Sequence, residues 1–130
     1  MNYTLNILSA PYSNQSSDTA YQFAKAVLAR GHSIYRVFLF GEGVYNANHL
    51  TCSPQDETNK FQRWSDLAHE FDIDLVVCVA SALKRGILDQ TESTRADLNQ
   101  YSTIPPFDIS GLGQLYDAIA HSDRVVSFGR

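Results

Sequence analysis

Two short runs in this chain are apolar at every position: Val37-Phe38-Leu39-Phe40 and Leu75-Val76-Val77-Cys78-Val79. A strand with one wet face alternates apolar and polar residues, because successive side chains point to opposite faces. A strand without that alternation needs cover on both faces, and parallel sheets clothed by helices supply it. Between and around the runs lie segments of helical period. Ala20, Phe23, Ala24, Val27 and Leu28 form one such stripe, and Phe61, Trp64, Leu67, Ala68 and Phe71 form another. Residues 3–9, 34–40, 74–79, 107–110 and 124–128 read as five strands separated by helices. Strand–helix alternation with right-handed crossovers predicts a three-layer α/β/α sandwich around a mainly parallel five-stranded sheet of flavodoxin-like type.

The punctuation sharpens the expected elements. Ser17 or Asp18 is suited to cap the first helix, and Gly31 to end it. Residues 41–54 read as a long irregular connection with a helical turn near 44–49. A full helix is expected over 56–71, and a short one over 80–85, ended by Gly86. Residues 87–106 are polar and nearly featureless, a length that is unusual for a structureless loop and typical of lids and interfaces. Ser110 is placed to cap a last helix with apolar positions Leu112, Leu115, Tyr116 and Ile119. Gly111 and Gly113 at that junction are read as allowing close packing of helix on sheet, with an anion site at the helix start as the weaker reading.

Composition narrows the class of protein. The 130 residues are expected to form one domain over 1–130, and 44% hydrophobic against 18% charged residues describes a globular chain rather than a disordered one. The net charge is −4 and no basic cluster exceeds Lys84-Arg85, so direct nucleic-acid binding is not expected. No apolar run is long enough to span a bilayer, and the start of the chain carries no signal-type segment, so a cytoplasmic protein away from the membrane is expected. The same compartment argues against a disulfide between Cys52 and Cys78. The cysteines and the four histidines lack metal-ligand spacing, and no phosphate-cradling glycine loop or G-x-S-x-G elbow occurs, so neither a metal nor an organic cofactor is expected.

Cys78 is the candidate for chemistry. It falls at the carboxyl end of the third strand, where ligands and reactive groups gather in open α/β sheets. A helix starting just beyond it would aim backbone N–H groups at the sulfur and favour thiolate, and Lys84 and Arg85 would add to this if they curled back. The alternative is an inert core thiol, which a cysteine inside an apolar strand commonly is. Cys52, in the polar segment Leu50-Thr51-Cys52-Ser53-Pro54, is expected to be the more exposed, either as a resolving thiol or as an incidental surface cysteine.

Several stretches together resemble the DsrE/TusD family of sulfurtransferases along nearly the whole chain. They are Ala20-Tyr21-Gln22-Phe23-Ala24-Lys25-Ala26, Gly43-Val44-Tyr45-Asn46-Ala47-Asn48, Val77-Cys78-Val79-Ala80 through Arg85-Gly86-Ile87, Ile109-Ser110-Gly111-Leu112-Gly113-Gln114-Leu115, and Asp123-Arg124-Val125-Val126. The resemblance implies an α/β fold and a persulfide carried on Cys78, and it assigns no role to Cys52. It implies assembly with TusB-like and TusC-like subunits into a heterohexamer, a TusA-like sulfur donor and a TusE-like acceptor. The end use would be 2-thiouridine at the tRNA wobble position, or sulfur oxidation in the DsrE-like branch. Persulfide transfer needs one accessible thiol and no metal, and a second thiol close by would release the sulfur as sulfide. A scaffold subunit with Cys78 buried is the alternative in a different class, and a flavodoxin-like FMN binder is disfavoured by the missing phosphate loop. The segment 87–106 is expected to border Cys78 and control its access, and that segment together with the apolar and aromatic stretch 38–45 is expected to make the isolated chain self-associate or behave poorly without partner subunits.

Overall fold

The computed structural model describes residues 1–129. Arg130, the last residue of the expected single domain, lies outside them. The chain runs β1 (Asn2–Ile7), α1 (Gln15–Ala29), β2 (Ser33–Leu39), a 3-10 helix (Gly41–Ala47), α2 (Lys60–Phe71) and β3 (Asp74–Cys78). It continues with α3 (Val79–Lys84), α4 (Gln90–Arg95), β4 (Phe107–Ser110), α5 (Gly113–His121) and β5 (Arg124–Phe128). All five strands are parallel, in the order β4-β3-β2-β1-β5. The α/β class and the parallel sheet are therefore as the apolar runs predict.

The two faces of the sheet are clothed unequally. Leu5 and Ile7 of β1, Val37 and Leu39 of β2, Leu75 and Val77 of β3 and Phe107 of β4 point to one face. There they meet Ala20, Ala24 and Val27 of α1, Phe61, Trp64, Leu67 and Ala68 of α2, and Ala82 of α3. Edge-to-face packing of Tyr21 on Trp64, with ring centroids 5.2 Å apart, locks α1 to α2. The opposite face carries a far smaller cluster of Phe38, Val76 and Cys78, against which Phe40 and Leu115 pack. α5 is the helix on that side, with Ala118 fully buried and Leu112, Tyr116 and Ile119 exposed.

Polar contacts hold α5 in place of a broad apolar seam. The ladder between β1 and β2 shifts between Tyr3 and Thr4, which pair with Ile34 and Arg36, leaving Tyr35 as an extra residue. Such a bulge lets two consecutive side chains serve one face, where strict alternation would allow one. The Tyr35 hydroxyl donates to Asp117 Oδ2 at 2.8 Å. Arg36 Nη1 donates to the same oxygen at 2.9 Å and to the Gln114 carbonyl at 2.6 Å, while its Nε donates to Asp74 Oδ2 at 2.7 Å.

Several boundaries differ from the sequence expectation. β1 ends at Ile7 and β2 at Leu39, and Asn14 rather than Ser17 or Asp18 caps α1 by accepting from Ser16 N. Ser17 is drawn inward, where it bonds the Ser9 carbonyl and Asn46 in a buried network. The helix expected over 56–71 begins only at Lys60, capped by Asn59. The 3-10 helix starts earlier than the expected turn because Gly43 lies against β1: a Cβ there would sit 2.0 Å from the Ile7 carbonyl oxygen. The segment 87–106 is not featureless. Asp89 accepts from Glu92 N at 2.8 Å and caps α4, an arrangement signalled by Asp89-Gln90-Thr91-Glu92. Ser102 then closes the segment, donating to the Gly86 carbonyl at 2.5 Å and accepting from Leu88 N at 3.0 Å. Ser110 does not cap α5; Leu112 holds that position without a side-chain bond. Nothing lies within 4 Å of a Cβ placed at Gly111 or Gly113, so the close-packing reading of both glycines fails.

Candidate functional site around Cys78

Cys78 is the last residue of β3 and the N-cap of α3. Its ladder partner on β4 is Ser110. The chain passes from strand to helix without a loop, and no side chain caps the first-turn N–H groups of α3. Backbone donors left in this way at a strand-to-helix junction favour negative charge nearby. α3 is fixed from the 3-10 helix: Gly41 N donates to Ser81 Oγ at 2.9 Å and Arg85 Nε donates to Glu42 Oε2 at 2.6 Å. Arg85 also donates to the Ser81 carbonyl at 3.1 Å. It is therefore committed to Glu42 and its own helix rather than curled back toward the thiol, and Lys84 stands in the last turn of α3, at the end away from Cys78.

The accessible thiol of the sequence reading is covered in this structure. Cys78 is 2% exposed. The reason is its parity in the strand: with Phe38 and Val76 it faces the α5 side, where Leu115 and Phe40 close over the cluster. A cleft of about 340 Å³ lies near this strand end, lined by Val79, Ile109 and Ser110 and by Asp89, Thr91, Glu92 and Arg95 of the segment that follows. Glu92 is buried and takes both of its oxygens to Arg95 Nη1, at 2.8 and 3.0 Å. Four residues of the segment 87–106 thus share a cleft with Val79, the chain neighbour of Cys78, and with its ladder partner Ser110, but Cys78 does not line that cleft.

Cys52 is exposed and free, its sulfur 3.5 Å from the Leu50 carbonyl oxygen, as the polar surroundings predict. Both cysteines are free thiols. Among the described residues no group of three or more His, Cys, Asp or Glu is arranged to hold a metal ion. No helix among them is long and apolar enough to cross a membrane.

The electrostatics of the α5 side centre on Arg36. Its side chain is 10% exposed. Burial disfavours its charge, but the bonds to Asp74 and Asp117 outweigh that and raise its pKa further. Asp117 is held below the usual carboxylate range by the Tyr35 hydroxyl and then by Arg36. Asp108, exposed on this face, is pushed up by partial desolvation and by the neighbouring charges of Asp74 and Asp89. Arg36 was not singled out from the sequence, although a signal was present. A charge inside Ile34-Tyr35-Arg36-Val37-Phe38 must find partners once buried.

The chain is similar to known proteins along nearly its whole length. The model of the DsrE/DsrF-like family matches residues 1–128. The chain is 48% identical to the DsrE protein of Allochromatium vinosum over 129 residues, covering 99% of both chains. It is 43% identical to the sulfurtransferase TusD of Serratia proteamaculans, covering 98% of this chain and 99% of the relative. The same identity relates it to TusD of Cronobacter sakazakii, over 98% of this chain and all of the relative. The crystal structure of the ychN protein from E. coli shares the fold with a TM-score of 0.75 at 18% identity, covering 98% of this chain and all of that one.

Proposed function

The chain belongs to the DsrE/DsrF-like family and is a sulfurtransferase, and from that premise we propose that it relays sulfur as a persulfide on Cys78. The observation that carries the reading is the position of Cys78 at the carboxyl end of β3, before an uncapped helix start, in a chain related end to end to sulfurtransferases. The Cys78 thiolate attacks the outer sulfur of a donor persulfide. The donor S–S bond breaks, the donor leaves as a thiolate, and Cys78 holds the persulfide. An acceptor thiolate then attacks that outer sulfur and Cys78 departs as a thiolate, so no external oxidant or reductant is consumed.

The test is intact mass after exposure to a small persulfide donor. The parent gains one sulfur atom. Cys78→Ser gains none and keeps its fold, because an alkoxide is far too basic to replace the thiolate. A serine variant that still loads would end the reading. Cys52→Ser is expected to load and transfer as the parent does, since Cys52 lies outside the motif shared with the family.

The finer assignment is cytoplasmic 2-thiouridine formation at the tRNA wobble position. A TusA-like donor, a TusE-like acceptor and TusB-like and TusC-like subunits in a heterohexamer would serve it, with no direct contact to tRNA. The TusD relatives support it. The higher identity to a DsrE protein, 48% against 43%, favours a second reading, sulfur carriage in oxidative sulfur metabolism. Transfer of labelled sulfur to a TusE-like acceptor, together with loss of 2-thiouridine in a strain lacking the protein, supports the first. Unchanged 2-thiouridine with lost sulfur oxidation supports the second. In either case the acceptor approaches across the cleft beside α4, so shortening the chain between Thr91 and Ser102 is expected to slow transfer to the acceptor more than loading by a small donor.

A further inference from the structure

Cys78 has to react with thiols of other proteins, yet it is 2% exposed. It sits in a small cluster with Phe38 and Val76, against which Phe40 and Leu115, in the first turn of α5, pack. α5 has few apolar anchors of its own: Leu115 packs on that cluster, Ala118 is buried, and Leu112, Tyr116 and Ile119 are exposed. Much of its attachment is one guanidinium. Arg36 bonds Asp117 and the Gln114 carbonyl on α5, and Asp74 at the start of β3.

The joint between β4 and α5 shows the same design. It reads Ser110-Gly111-Leu112-Gly113, and Ser110 is the ladder partner of Cys78. Neither glycine has a positive φ, and neither is hemmed in by a neighbour that a methyl group would strike. No steric demand of the closed structure therefore accounts for them. Two glycines bracketing one residue leave a soft joint, and hinges use such positions to absorb changes in backbone angle.

We propose that α5 is a lid over Cys78, hinged at Gly111 and Gly113 and latched by Arg36, which makes Arg36 a positioning residue for sulfur transfer. This rests on the persulfide reading of Cys78 and adds the control of its access. When the latch lets go, the first turn of α5 lifts Leu115 from the cluster that holds the sulfur. With the latch closed, a persulfide on Cys78 is shielded from stray thiols.

The experiment measures alkylation of Cys78 by iodoacetamide in a Cys52→Ser background, so that one thiol reports. A buried thiol reacts through the opened fraction of molecules, and its rate follows the opening equilibrium. Arg36→Gln is expected to raise the rate by about tenfold or more. Replacing both Gly111 and Gly113 by Ala is expected to lower it by roughly threefold, because stiffening the joint disfavours the open form without removing a contact. Val27→Ala, which loosens the opposite face, is the control and is expected to leave the rate near that of the parent. Opposite responses at latch and hinge cannot come from general loosening.

The lid is overturned if Arg36→Gln reacts as the parent does, or if Val27→Ala accelerates alkylation as much. It is also overturned if the alanine pair leaves the rate unchanged. Should Arg36→Gln fail to fold, Asp117→Asn removes an acceptor of the same latch and is read in the same way. Loading by a small persulfide donor is followed in parallel. Alkylation that obeys lid and hinge in a protein that never loads sulfur would keep the lid and remove the persulfide reading. Normal loading with alkylation indifferent to all variants would do the reverse.

Discussion

The two faces of the sheet are built on different principles. On one, side chains from α1, α2 and α3 interdigitate with β1 to β4, and Trp64, Leu5, Ile7 and Val37 are all but invisible to solvent. On the other, a three-residue cluster of Phe38, Val76 and Cys78 lies on the side of a single helix kept in place largely by an arginine, two aspartates and a tyrosine. Apolar packing is non-directional and grows with area, so the first face is stiff and hard to open. Polar contacts are directional and few in number, so the second can let go as a unit. The broad apolar core and the cluster that holds Cys78 thus lie on opposite sides of one sheet.

The largest expected effect tests the stiff side. Trp64→Ala should destabilise by about 3–5 kcal/mol, through lost burial and the cavity left between α1, α2 and the sheet. Urea unfolding measures it, and a loss below about 1 kcal/mol would mean the two faces are not energetically distinct. Leu115→Ala probes the other side and should cost only about 1–2 kcal/mol, since this leucine is half-buried and sits on a small cluster. A cost equal to that of Trp64→Ala would erase the comparison.

Two carboxylates on the α5 side sharpen it through pH. The pKa of Asp117 is lowered in the fold by Tyr35 and Arg36. Its contribution to stability is therefore full above the unfolded value of about 3.9 and is lost as the pH falls through the lower folded value. Asp117→Asn should be less stable than the parent at pH 7, with the gap closing below about pH 4 in urea midpoints. Asp108 is the reverse case, raised by partial desolvation and by Asp74 and Asp89. Its ionised form disfavours the fold at neutral pH, so Asp108→Asn should be slightly more stable than the parent at pH 7. That advantage should fade as the pH falls through the raised folded value and be gone below about 4, where Asp108 is protonated in both states. Shifts of the same sign for both variants would contradict the charge arrangement around Arg36.

The site was legible only in part. Cys78 at a strand's carboxyl end could be read from the run Leu75-Val76-Val77-Cys78-Val79, because strand position and the rule for open α/β sheets need only local pattern. Its burial could not, since that depends on parity and on what α5 lays across the sheet. The Asp89 cap was legible in the spacing Asp89 to Glu92 and was passed over because the surrounding segment is polar. Gly43 and Asn46 lay within the stretch shared with the family, but their reasons are spatial: Gly43 against the Ile7 carbonyl, and Asn46 bonded to Ser9 and Ser17.

Local periodicity by itself determined the α/β class, the helical stripes, the parallel sheet implied by two fully apolar strands, and the candidate nucleophile. The tertiary structure alone decided the order β4-β3-β2-β1-β5, the unequal covering of the faces and the bonds of Arg36 to α5. The reason is separation along the chain. Arg36 and Asp117 stand 81 residues apart, and a bulge of one residue sets which face Tyr35 reaches. Period and composition record what each segment buries, but not which distant segment it is buried against.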